Sequence, residues 1–95
     1  MQRWSPKYAP ANKTVLTASS SQIVAPDSAM RSLCIINKDS ANSIWLAFGN
    51  HEAVSGNGIE IQAGEQGEWG SDAIPVDGIN AIADTADVAV AIQKG

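Results

Sequence analysis

The chain has 95 residues, a formal charge of −4 and a single cysteine. That is enough for one small domain, and it excludes an internal disulfide and a multi-thiolate zinc site. No apolar run approaches the ~20 residues of a membrane-spanning helix, and Met1–Lys7 has no apolar stretch after its charges of the kind a signal peptide carries.

Charge is unevenly placed. Arg3, Lys7 and Lys13 give residues 1–13 a charge of +3, whereas the remainder sets Arg31, Lys38 and Lys94 against ten acids, leaving −7. An acidic body disfavours nucleic acid as the main partner, because the phosphate backbone attracts basic surfaces. Residues 1–12 carry Pro6 and Pro10, which push the chain toward extended geometry, and hold Trp4 and Tyr8 between the charges. They read as an extended arm preceding a domain at 13–95. Trp4 and Tyr8 are either anchors for a partner surface or a flap folded over their own domain. Together with Arg3, Lys7 and Lys13 they are the candidate partner-binding residues.

Thr14–Ala18 is β-rich and opens the first expected strand, and Gln22–Ala25 forms a second, closed by Pro26-Asp27. Ser28–Met30 reads as a single helical turn capped by Asp27 or Ser28. The centre of the chain is Arg31–Asn37 followed by Ser43–Gly49. The first run has apolar residues at both parities, Leu33 and Ile35 against Cys34 and Ile36, as a central strand does. The second sets Ile44, Leu46 and Phe48 on one face and Trp45 and Ala47 on the other. With Lys38–Asn42 as a polar turn between them, the two read as a β-hairpin. Cys34 reads as a buried, small apolar side chain rather than a reactive thiol.

Asn50–Gly58 is the longest loop, ending in Gly-Asn-Gly. Its two glycines lack the third glycine and following helix of a phosphate-binding loop. His51 is the only histidine and has no spaced set of further ligands, so it reads as a loop residue rather than a metal ligand. Ile59–Gln62 alternates with its isoleucines inward, and Glu68-Trp69 reads as a short strand burying an indole. Glu65 and Glu68 read as solvated carboxylates rather than a general acid/base pair. Asp77-Gly78 is a turn before a strand at 79–83, and Val88, Val90 and Ile92 share one face of the last.

About eight short strands with turns every 8–12 residues suit a small, all-β antiparallel sandwich or jelly-roll-like domain. No cofactor is required, and one histidine without a nucleophile motif makes no triad, so an enzyme is not expected.

The order Arg31–Asn37, Ile44–Gly49, Gly58–Glu65, Trp69, Ile74-Pro75, Gly78–Ile82 and Ala89–Ile92 resembles small all-β virion proteins of tailed bacteriophages. Some of these are head decoration, or cement, proteins and others are fibre or tail accessory modules. The resemblance covers residues 31–95. It implies a non-enzymatic homotrimer on the capsid exterior, assembled in the host bacterial cytoplasm, with the major capsid protein as partner. The alternative it leaves is a fibre or tail module that binds a host receptor or carbohydrate.

Overall fold

The computed structural model describes residues 11–70 and 74–95. They form eight strands: β1 (Ala11–Val15), β2 (Ser21–Val24), β3 (Leu33–Asn37), β4 (Ile44–Phe48), β5 (Ile59–Ile61), β6 (Gln66–Trp69), β7 (Ile79–Ala83) and β8 (Val88–Lys94). Two four-stranded sheets have the orders β1-β8-β3-β6 and β2-β7-β4-β5, and every pairing is antiparallel. The pairs β1·β8, β2·β7, β3·β6 and β4·β5 are nested. They describe one long hairpin with its tip at the 49–58 loop, rolled so that successive strand pairs fall on opposite sheets. This is the strand order of a jelly roll.

Period-two alternation fills the space between the sheets. Leu33, Ile35, Val88, Val90, Ile92 and Val15 point inward from one sheet. Ile44, Leu46, Ile61, Ile79, Ala81 and Ala83 meet them from the other, with Met30 at one end. In β2 both Ile23 and Val24 are buried, because a register shift between Gln22 and Val24 turns consecutive residues the same way.

The expected central hairpin does not form. β3 and β4 are each interior to a sheet, as their apolar content implies, but the sheets are different: β3 lies between β8 and β6, and β4 between β7 and β5. Residues 38–43 cross from one layer to the other, a gap of about 10 Å. Asn37 shapes this crossing. Its side chain is fully buried; Nδ2 donates to the carbonyls of Asn42 (2.9 Å) and Ile61 (3.0 Å), and Oδ1 accepts the N–H of Asp39 (2.9 Å). One amide therefore ties the end of β3 to the end of β5 in the facing sheet. Asp39 continues the corner, its Oδ2 accepting the N–H groups of Ala41 and Asn42, while the Thr85 hydroxyl donates to Asn42 Oδ1. These N–H donors hold the Asp39 carboxyl below its ordinary pKa.

Other expectations shift in detail. β1 begins at Ala11, inside the segment that reads as arm, because Ala11–Val15 find a continuous ladder on Val88–Ile92. It ends where the Thr17 N–H turns to Asp87 Oδ1. Residues 28–29 are a turn and no helix forms there. Of the isoleucine pair in β5, Ile61 is buried, but Ile59 is 43% exposed, because among the described residues no strand lies outside this edge. Cys34 and Ile36 point away from the core. Ile36 is 38% exposed and Cys34 half-buried beside Glu68, so the second apolar face of β3 has no layer over it among the described residues. Partial burial, and then the Glu68 carboxylate, raise the pKa of the Cys34 thiol. Trp69 is half-buried, packed edge-on to Phe48 at 5.5 Å and 78°.

A candidate binding cleft beneath the 49–58 loop

The loop that joins β4 to β5 is the tip of the rolled hairpin, and its local sequence explains its path. Gly49 and Asn50 both have positive φ (76° and 66°), so the chain reverses as soon as β4 ends. It then doubles back over the outer face of the second sheet, where Asn80 and Ile82 of β7 alternate with the core-facing Ile79, Ala81 and Ala83.

The loop is fastened at four places. Gly49 N–H donates to Gly78 O (3.2 Å). Asn80 Nδ2 donates to His51 O (2.6 Å). Ala53 is buried and its N–H donates to Ser20 Oγ (2.9 Å), and the Ser55 hydroxyl donates to Asp84 Oδ1 (2.9 Å). A tight turn closed by Asn57 N–H to Val54 O (3.1 Å) returns the chain to β5. Gly58, with φ of 102°, lies so close to β4 that a Cβ there would stand 2.6 Å from the Leu46 carbonyl oxygen.

Between the loop and the β4–β5 pair is an open cleft of about 350 Å³. Phe48, Val54 and Ile59 supply its apolar surface, and His51, Glu52 and Asn57 its polar rim. Val54 and Ile59 are 50% and 43% exposed, so large apolar side chains face solvent where uncommitted polar groups also converge. Such a mixture is typical of small-ligand sites, and the volume lies at the small end of the ~300–1,000 Å³ such sites span. With its loop fastened to Ser20, Gly78, Asn80 and Asp84, little ordering remains for a ligand to impose.

Arg3, Trp4, Lys7 and Tyr8 fall outside the described residues. Lys13 is exposed on β1, opposite Val90 in register. β1 packs against β2 and β7, and β5 stands at the other edge of that sheet, so Lys13 is not part of the cleft. His51 and Glu52 are brought together with Asn57, but no group of three or more metal-ligating side chains forms among the described residues. Glu65 and Glu68 have separate surroundings: Glu65 Oε1 accepts the Gln62 N–H within its own turn (3.3 Å), and Glu68 stands opposite Cys34. The cleft's contribution from Phe48 was not legible in the loop sequence, because that residue belongs to β4. Its one available signal was the position directly before Gly49.

No helix among the described residues is long and apolar enough to cross a membrane. The chain matches no family model, no curated protein and no solved structure.

Proposed function

We propose that this chain is a non-enzymatic structural protein of a tailed-phage virion, a decoration module that binds the outside of the head and stabilises it as a homotrimer. The observation that carries the reading is the rolled-hairpin strand order, an architecture that recurs in viral capsid domains. The warrant is one of fold-level analogy, joined to the sequence resemblance over residues 31–95. The physical logic is consistent with it. A domain of this size buries a modest core, and docking on a shell adds stability by mass action. The acidic body and basic leading segment give copies of the chain complementary charge.

The test is the solution mass of the full chain by light scattering, followed by cosedimentation with heads of the virus that carries it, stripped of this protein. A trimer that saturates the stripped heads supports the proposal. A monomer that ignores heads but is found on tails or fibres overturns it.

The second reading is a receptor- or carbohydrate-binding accessory module, and the cleft beneath the 49–58 loop favours it. An apolar wall of Phe48 and Ile59 suits the C–H face of a sugar, and Asn57 and Glu52 suit its hydroxyls. Binding to a glycan array that is lost in Asn57→Ala and Ile59→Asp, with folding intact, selects this reading. An empty array removes it.

A further inference from the structure

The tip of the hairpin places two requirements against each other. Gly58 must be glycine: its φ is 102° and any Cβ would meet the Leu46 carbonyl oxygen at 2.6 Å, a backbone atom of a core strand that cannot swing aside. The residue before it is asparagine, and Asn57 is the only one of the chain's six asparagines followed by glycine. A glycine on the C-terminal side leaves its backbone nitrogen unshielded by a side chain. Both residues are exposed, and among the described residues neither the Asn57 carboxamide nor the Gly58 N–H takes part in a hydrogen bond.

We infer that Asn57 is a site of spontaneous covalent modification, converting to aspartate and isoaspartate in the folded protein. The reaction is an intramolecular acyl transfer followed by hydrolysis. The Gly58 nitrogen gives its proton to base and bonds to Asn57 Cγ. The Cγ–Nδ2 bond breaks and ammonia leaves, closing a five-membered imide. Water then opens the ring at one of its two carbonyls. Attack at Cγ gives aspartate; attack at the backbone carbonyl gives isoaspartate, with the main chain rerouted through the side chain. The net change is amide plus water to acid plus ammonia, with nothing oxidised or reduced.

The other asparagines lack this combination. The carboxamides of Asn37, Asn42 and Asn80 are held in hydrogen bonds, as is the Oδ1 of Asn12. Asn50 precedes His51, whose side chain shields the nitrogen. The conversion matters locally. It adds a second carboxylate beside Glu52 on the rim of the cleft. In the isoaspartate form it also lengthens the backbone between the Val54–Asn57 turn and Gly58, which fits closely against β4.

The experiment is to age the full-length protein in mildly alkaline buffer below its melting temperature, then digest it and resolve the peptide that carries residue 57. The expected result is a new pair of peaks, each heavier by the exchange of NH₂ for OH, with isoaspartate in excess. Conversion should be many-fold faster than at any other asparagine. Asn57→Gln, in which the ring would need six members, should gain no mass over the same period. Because Gly58→Ala is expected to disturb folding, the control is the unmodified sequence aged in urea. If Asn57 converts in urea and stays intact in the folded protein, or if Asn50 converts as fast, the inference is overturned.

Discussion

Replacing Asn37 with alanine tests the claim that one buried amide joins the two sheets. The substitution deletes two donors and one acceptor. Ile61 O loses a buried amide donor, at about 1–3 kcal/mol. Asn42 O and Asp39 N are only partly buried, so water replaces much of what they lose, at about 0.5–1 kcal/mol each. The expected loss is about 2–5 kcal/mol, against a total of roughly 5–14 kcal/mol for a domain of this length. In a domain of this size each kcal/mol moves Tm by about 4–8 °C, so thermal unfolding followed by circular dichroism should shift downward by about 8–40 °C. Urea titration should show a lower midpoint at unchanged slope. Asn37→Asp separates hydrogen bonding from shape. It keeps the volume but turns a donor toward two carbonyl oxygens into a carboxylate. Burial and those oxygens raise its folded pKa above the unfolded value. The variant should therefore be most stable at acidic pH and lose stability as pH rises through the folded pKa. A loss below about 1 kcal/mol for Asn37→Ala would refute the idea that this side chain holds the crossing.

Gly67→Ala places a Cβ 2.6 Å from the Trp69 ring, so the indole must leave its edge-on contact with Phe48; about 1–3 kcal/mol should be lost in urea unfolding, with a shift in tryptophan emission. Asp39 has a folded pKa depressed by the N–H groups of Ala41 and Asn42, so its contribution is present above the unfolded pKa and disappears as pH falls through the folded value. Stability measured across the acid range should accordingly fall less steeply in Asp39→Asn than in the unaltered chain. The raised thiol pKa at Cys34, caused by partial burial and Glu68, means slow alkylation near neutrality and faster alkylation in Glu68→Gln. Iodoacetamide labelling at the rate of a free cysteine peptide would contradict this.

Strand positions were largely legible in the sequence and strand partners were not. Alternation in Val88–Ile92 and Ile79–Ala83 records which side chains face the core, and those elements lie where the pattern puts them. Alternation carries no information on which neighbour supplies the ladder, so β3 and β4 read as a hairpin although each pairs elsewhere. Asn37 reads only as the last residue of the run that precedes the Lys38–Asn42 turn, because its partners at Asn42 and Ile61 become neighbours only once the sheets face each other. The 49–58 segment was legible as the longest loop. Its shape was not, since Ser20, Asn80 and Asp84, which fasten it, come from separate turns and strands.

The nesting of strand pairs also sets an order of assembly. Leu46 and Ile59 enclose 12 residues, whereas Val15 and Val88 enclose 72. Closing the wider loop first costs roughly 1.5 kcal/mol more chain entropy, and each inner pair that forms shortens the free loop left for the next. The route of least entropy therefore zips from the tip outward, and its reliance on distant contacts places the domain among slow folders. The β1·β8 ladder closes last on this route. The residues nearest the two ends would then hold a finished body shut while contributing little to the speed at which it forms, and their amide hydrogens should be among the first strand amides to exchange with solvent.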